Sequence, residues 1–187
     1  MRLFIIGQQT DGWYKEQFVP ECSDTPIRTF MKIYRDKFRL GLRRGGYFWR
    51  AVRILEARLG IEPGCVVWSN LNKVDQKKTG TRDRRPATDI EAGLTTLFPV
   101  LKQEIALTVP NVVFFFTGPL YDDLLKRIFP KAILSPIHDH DLGICCVEHP
   151  SLPKKTFRSY HPGFLHWDQP RRWEPVLAAL AELARAS

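Results

Sequence analysis

Apolar residues in this chain come in short runs that alternate with stretches of helical spacing. Leu3 to Ile6, Cys65 to Trp68 and Asn111 to Phe116 each read as a buried strand, because a run of four to six apolar or β-branched residues stops in turn-forming residues. Ala132 to Leu134 and Phe157 to Tyr160 are shorter segments of the same kind. Between them, Phe48, Val52, Leu55 and Leu59 repeat at helical spacing, with Gly60 placed to end the helix. Ile90, Leu94, Leu97, Leu101 and Ile105 continue one apolar face. Thr88 and Glu91 have the spacing of a capping box, and Pro99 calls for a kink or two shorter helices. Further helices are expected over residues 26–39, 120–128 and 172–186, the last with Trp173, Val176, Leu177, Leu180 and Leu183 inward. Alternation of this kind predicts an α/β fold, a three-layer α/β/α sandwich around a mostly parallel sheet of about four strands. No repeat or low-complexity linker interrupts it, so residues 1–187 are expected to form a single domain.

Polar, turn-forming residues follow the first and last strands directly. Gly7-Gln8-Gln9-Thr10-Asp11-Gly12-Trp13-Tyr14 follows the first, and His161-Pro162-Gly163-Phe164-Leu165 the last. In an open α/β sheet, the loops at the carboxyl ends of the strands form the binding crevice, so the two are expected to converge on one ligand.

Composition adds a polyanionic partner to that picture. The 187 residues carry a formal net charge of +8, and nine Lys or Arg residues lie between Arg28 and Arg53 against one acid, Asp36. A second basic run extends from Lys77 through Lys78 and Arg82 to Arg85. Solvated faces and phosphate contact both account for such runs, and the second would make binding salt-dependent. No apolar run reaches 18 residues, and the first is too short for a signal peptide, so no membrane association and a cytoplasmic location are expected.

The four cysteines, Cys22, Cys65, Cys145 and Cys146, lack metal-site spacing, and Cys65, Cys145 and Cys146, in apolar stretches, read as buried free thiols. His138-Asp139-His140-Asp141 alternates like a ligand pair on a strand, but no further cluster accompanies it, and a loop of satisfied polar residues is the expectation. No metal or other cofactor is expected.

Four landmarks in order make the chain resemble the uracil-DNA glycosylase superfamily as a divergent member. Gly7-Gln8-Gln9-Thr10-Asp11 stands where that family has Gly-Gln-Asp-Pro-Tyr, and Ser69-Asn70 ends a middle strand where it has an Asn. Pro99 and Pro110 precede an apolar strand ending at Gly118, and His161-Pro162-Gly163-Phe164-Leu165 resembles the family's His-Pro-Ser-Pro-Leu. The resemblance spans nearly the whole chain. It implies a DNA glycosylase that excises a damaged or modified base, uracil or a related one, after flipping it into a pocket. It implies a monomer acting on single- or double-stranded DNA. Gly7, Gln8, Trp13, Tyr14 and Asn70 would line the base site, and His161 would stabilise the departing base. Leu165, with Phe164, would fill the gap left by the flipped base, and Gly163, Lys73, Lys77, Lys78 and Arg82 would contact DNA.

The chain departs from the family at the catalytic Asp, which aligns with Gln9. Glutamine positions water but supplies no negative charge, so either Gln9 itself or Asp11, two residues on, would act at the water. Gly163 replaces Ser and leaves a backbone N–H for phosphate. The family's iron–sulfur cysteine pattern is absent. The alternatives are a nucleic-acid-binding protein that kept the fold and lost catalysis, and a small-molecule nucleotide hydrolase.

Overall fold

A computed structural model describes residues 1–9, 46–76, 85–97, 99–137 and 142–186. Several expectations lie outside these residues: the helix over 26–39, Asp11, Trp13, Tyr14, Cys22, Lys77, Lys78, Arg82 and His138 to Asp141. Among the described residues, six strands form one sheet: β1 (Leu3–Gln9), β2 (Val67–Asn72), β3 (Val112–Phe116), β4 (Ile133–Pro136), β5 (Cys145–Glu148) and β6 (Lys155–Ser159). Their order is β2-β1-β3-β6-β5-β4. The first four in that order run parallel; β5 is reversed beside β6, and β4 pairs antiparallel with β5 at the edge.

The sheet therefore has six strands where about four were expected. The strand the sequence reading missed is β5. Its signal is the apolar run Ile144 to Val147, and within the strand Cys145 and Val147 are buried while Cys146 and Glu148 are less so. A second correction concerns the end of β1. Gly7 and Gln9 were expected in a loop, yet they pair in register with Asn70 and Asn72, so the parallel ladder continues through polar residues.

Helices flank the sheet: α1 (Tyr47–Leu59), α2 (Thr88–Leu97), α3 (Val100–Thr108), α4 (Asp122–Ile128), α5 (Pro162–Trp167) and α6 (Trp173–Arg185). The core lies in two clusters. Leu3, Ile5, Phe114 and Phe116 pack with Val52 and Leu55 of α1 and Val176, Leu177 and Leu180 of α6. Phe4, Ile6, Val113 and Phe115 pack with Leu101 and Ile105 of α3 and Leu124 and Leu125 of α4. Alternate residues of β1 and β3 thus feed opposite faces, as the two-residue strand period requires.

Gly60 ends α1 in the left-handed conformation, and Pro99 separates α2 from α3 as expected. The apolar face predicted across both helices is only partly buried: Leu101 and Ile105 are enclosed, but Ile90 is exposed. The capping box is not made. Thr88 is the first residue of α2, and Glu91 turns its carboxylate to Arg85 and Asn72. No described helix is long and apolar enough to cross a membrane.

Candidate functional site

Because β2, β1, β3 and β6 are adjacent and parallel, their carboxyl ends lie along one edge of the molecule. Gly7 of β1 sits beside Asn70 of β2. A Cβ on residue 7 would lie 2.6 Å from Asn70 Oδ1 and 3.4 Å from the Phe48 ring, so only glycine lets the amide and the ring approach so closely. Asn70 is largely buried there, with its Oδ1 turned toward Gly7.

His161 follows β6 and enters the same group. Its imidazole lies nearly parallel to the Phe48 ring, with centroids 6.2 Å apart and planes at 18°. Its Nδ1 accepts a hydrogen bond from the backbone N–H of Gly163 at 3.1 Å, which caps α5 with Pro162 in the first turn. A nitrogen that accepts carries no proton, so neutral His161 holds its hydrogen on Nε2. A Cβ on residue 163 would lie 3.1 Å from that Nδ1, and a side chain there would press on the ring.

Phe48 is thus the residue that joins Gly7, Asn70 and His161. In the sequence it reads only as a core position of α1. Its ring also meets Trp49, Trp68 and Phe116 edge-on, which fixes its plane.

Several predicted residues have other roles. Leu165 is 0% exposed within the first core cluster, so it cannot enter DNA from this position; helix α5, not a loop, follows the His-Pro pair and turns Leu165 inward. Phe164, 38% exposed and stacked on Tyr160 at 4.9 Å, is the outward side chain. The Gly163 N–H expected on a phosphate is given to His161 instead. Lys73 donates to Glu104 at 2.5 Å and also bonds Ser69, so its ammonium is held in a half-buried ion pair rather than offered to phosphate. Burial lowers its pKa, with Glu104 opposing that shift.

Gln8 donates to the Thr117 carbonyl at 2.9 Å and ties the end of β1 to the end of β3. Gln9 belongs to a different group from His161. Its Oε1 accepts from the Tyr121 hydroxyl, and the Arg85 guanidinium lies over the Tyr121 ring at 4.6 Å. Arg85 donates to Glu91 at 2.7 and 2.8 Å and to both oxygens of Asp123, while Asn72 donates to Glu91 at 2.8 Å. Glu91 is 1% exposed. Arg85 is therefore held in ion pairs within the protein, a role its sequence context does not signal. Hydrogen bonds to Glu91 raise the Arg85 pKa still further above its ordinary value.

Cys65, Cys145 and Cys146 are free thiols. Cys145 is buried and Cys146 partly so, as expected, but Cys65 is exposed. No cluster of potential metal ligands occurs among the described residues. In comparisons with known proteins, no protein-family model matches this chain, and no curated protein matches it in sequence.

Proposed function

We propose that this chain is a DNA glycosylase-like hydrolase of the three-layer α/β/α kind, excising uracil or a related modified base from DNA by base flipping. The observation that carries the reading is the meeting of Gly7, Asn70 and His161, from three strand ends, around the Phe48 ring. A flipped base stacked on Phe48 would bring its edge to the Asn70 amide, which offers an acceptor and two donors. As the C1′–N bond breaks, its electron pair passes to the base, and the Nε2–H of His161 donates to the oxygen where that charge collects. Water then bonds to C1′ and releases its proton to the Gln9–Asp11 segment or to solvent.

The second reading is a nucleic-acid-binding protein without catalysis. It is favoured by Gln9, which carries no charge and whose amide oxygen already accepts from Tyr121.

Single-turnover excision beside equilibrium binding separates the two, on oligonucleotides carrying uracil, hypoxanthine, xanthine or hydroxymethylated pyrimidines. Excision is expected on at least one of them. His161→Ala should slow it by about 10²–10³ while binding changes far less. Asp11→Asn is damaging if Asp11 supplies the missing charge and nearly silent if Gln9 handles the water. DNA affinity should fall by orders of magnitude between about 50 and 200 mM salt. Tight binding with every base left intact would favour the binder. Wild-type excision by His161→Ala would refute the mechanism.

A further inference from the structure

The far end of α5 carries a second aromatic group that the excision chemistry does not use. Trp167 is 71% exposed, whereas Trp49 and Trp173 are buried. Tyr47 stacks on His166 with centroids 3.6 Å apart, and both rings meet Trp167 edge-on, at 5.5 and 5.0 Å. The exposed indole is therefore braced against the Tyr47–His166 stack while most of its surface stays open to solvent. Phe164 stands one helical turn before it, also exposed. Arg50 and Arg171 are exposed on the flanking segments, against one acid, Asp168, between Phe164 and Arg172. Braced aromatic rings beside arginines are what unpaired nucleic acid requires: stacking on the base and attraction to the backbone.

Spacing narrows the ligand. Six residues of helix separate Trp167 from His161, a rise of roughly 9 Å. That matches two or three base steps at about 3.4 Å per step along a strand. We propose that Trp167 and Phe164 form a stacking surface for unpaired DNA bases on the same strand as the base held at His161. Single-stranded or locally opened DNA is then the preferred ligand. The proposal takes DNA as ligand from the function proposed above but needs no excision.

The test is fluorescence anisotropy with a lesion-free, fluorescein-labelled oligonucleotide, single-stranded or annealed as a blunt duplex, at fixed salt. The wild-type protein should bind the single strand more tightly. Trp167→Ala should weaken single-strand binding about tenfold or more and duplex binding by less than about threefold, and Trp167→Phe should recover most of the loss. Arg171→Ala should weaken both forms alike and lower the salt slope by about 1. Equal losses on both DNAs, or none on the single strand, would overturn the proposal. So would a Trp167→Ala protein whose oligomeric state changes while its DNA binding does not, since the surface would then serve a second copy. If excision fails on every base while the Trp167 effect stands, only the glycosylase reading falls. If excision proceeds and Trp167→Ala binds the single strand like wild type, only the stacking surface falls.

Discussion

Two polar groups crown the same end of the sheet, and they differ in what holds them together. The group at Tyr121, Arg85, Glu91, Asn72 and Asp123 is closed. Its buried carboxylate receives three donors from two residues, and its guanidinium reaches two carboxylates. The group at Gly7, Asn70, Phe48 and His161 rests on close approach instead of ion pairing. It sets a largely buried asparagine against a glycine, an aromatic ring, and a histidine whose Nδ1 accepts from one backbone N–H. A buried charged network with its pairs made is held in place by folding, and breaking it costs stability, whereas an uncharged side chain outside it is less costly to change. Asn70 and Asn72, two residues apart in β2, fall one in each group, so side-chain type alone does not distinguish them.

Stability measurements test that division. Glu91→Ala should cost about 3 kcal/mol in urea unfolding, the low end for a broken buried pair, because Arg85 keeps Asp123. Leu165→Ala should cost about 2–5 kcal/mol, as for any enclosed leucine. A change near zero would mean that Leu165 is a wedge after all and that α5 rearranges. Asn70→Ala should stay within about 1 kcal/mol of wild type while impairing both DNA binding and excision. A large stability loss there would place Asn70 in the closed group and remove it from base recognition.

The smallest effect concerns the thiols. Burial raises the pKa of Cys145 and of Cys146, and only the thiolate reacts. Maleimide labelling of the native protein at pH 8, located by peptide mass spectrometry, should therefore mark exposed Cys65 well before either. Labelling of Cys145 should climb with pH, by up to about tenfold per unit below its pKa. Equal rates at pH 8 would mean that the β4–β5 edge opens readily.

The sequence revealed most of the fold and part of the site. The parallel strands β1, β3 and β6 and the helices α1 and α6 were legible because each buries a face whose period is local. Strand β5 was not, since four residues around adjacent cysteines carry little pattern. His161, Gly7 and Asn70 were legible as polar residues at strand ends. Their neighbour Phe48 was not, because a ring that faces a site and one that faces a core have the same helical spacing. Leu165 and Lys73 misled for a similar reason: the turn of α5 and the position of Glu104 depend on contacts far along the chain.

The position of β1 has a consequence for synthesis. It lies inside the sheet between β2 and β3, so the first strand made cannot complete its ladder until β3, about a hundred residues later, has been added. At roughly 5–20 residues per second, the apolar run Leu3 to Ile6 waits about 5–20 s on the ribosome without its second partner. Nascent chains halted before residue 112 should accordingly be the ones that recruit chaperones most strongly.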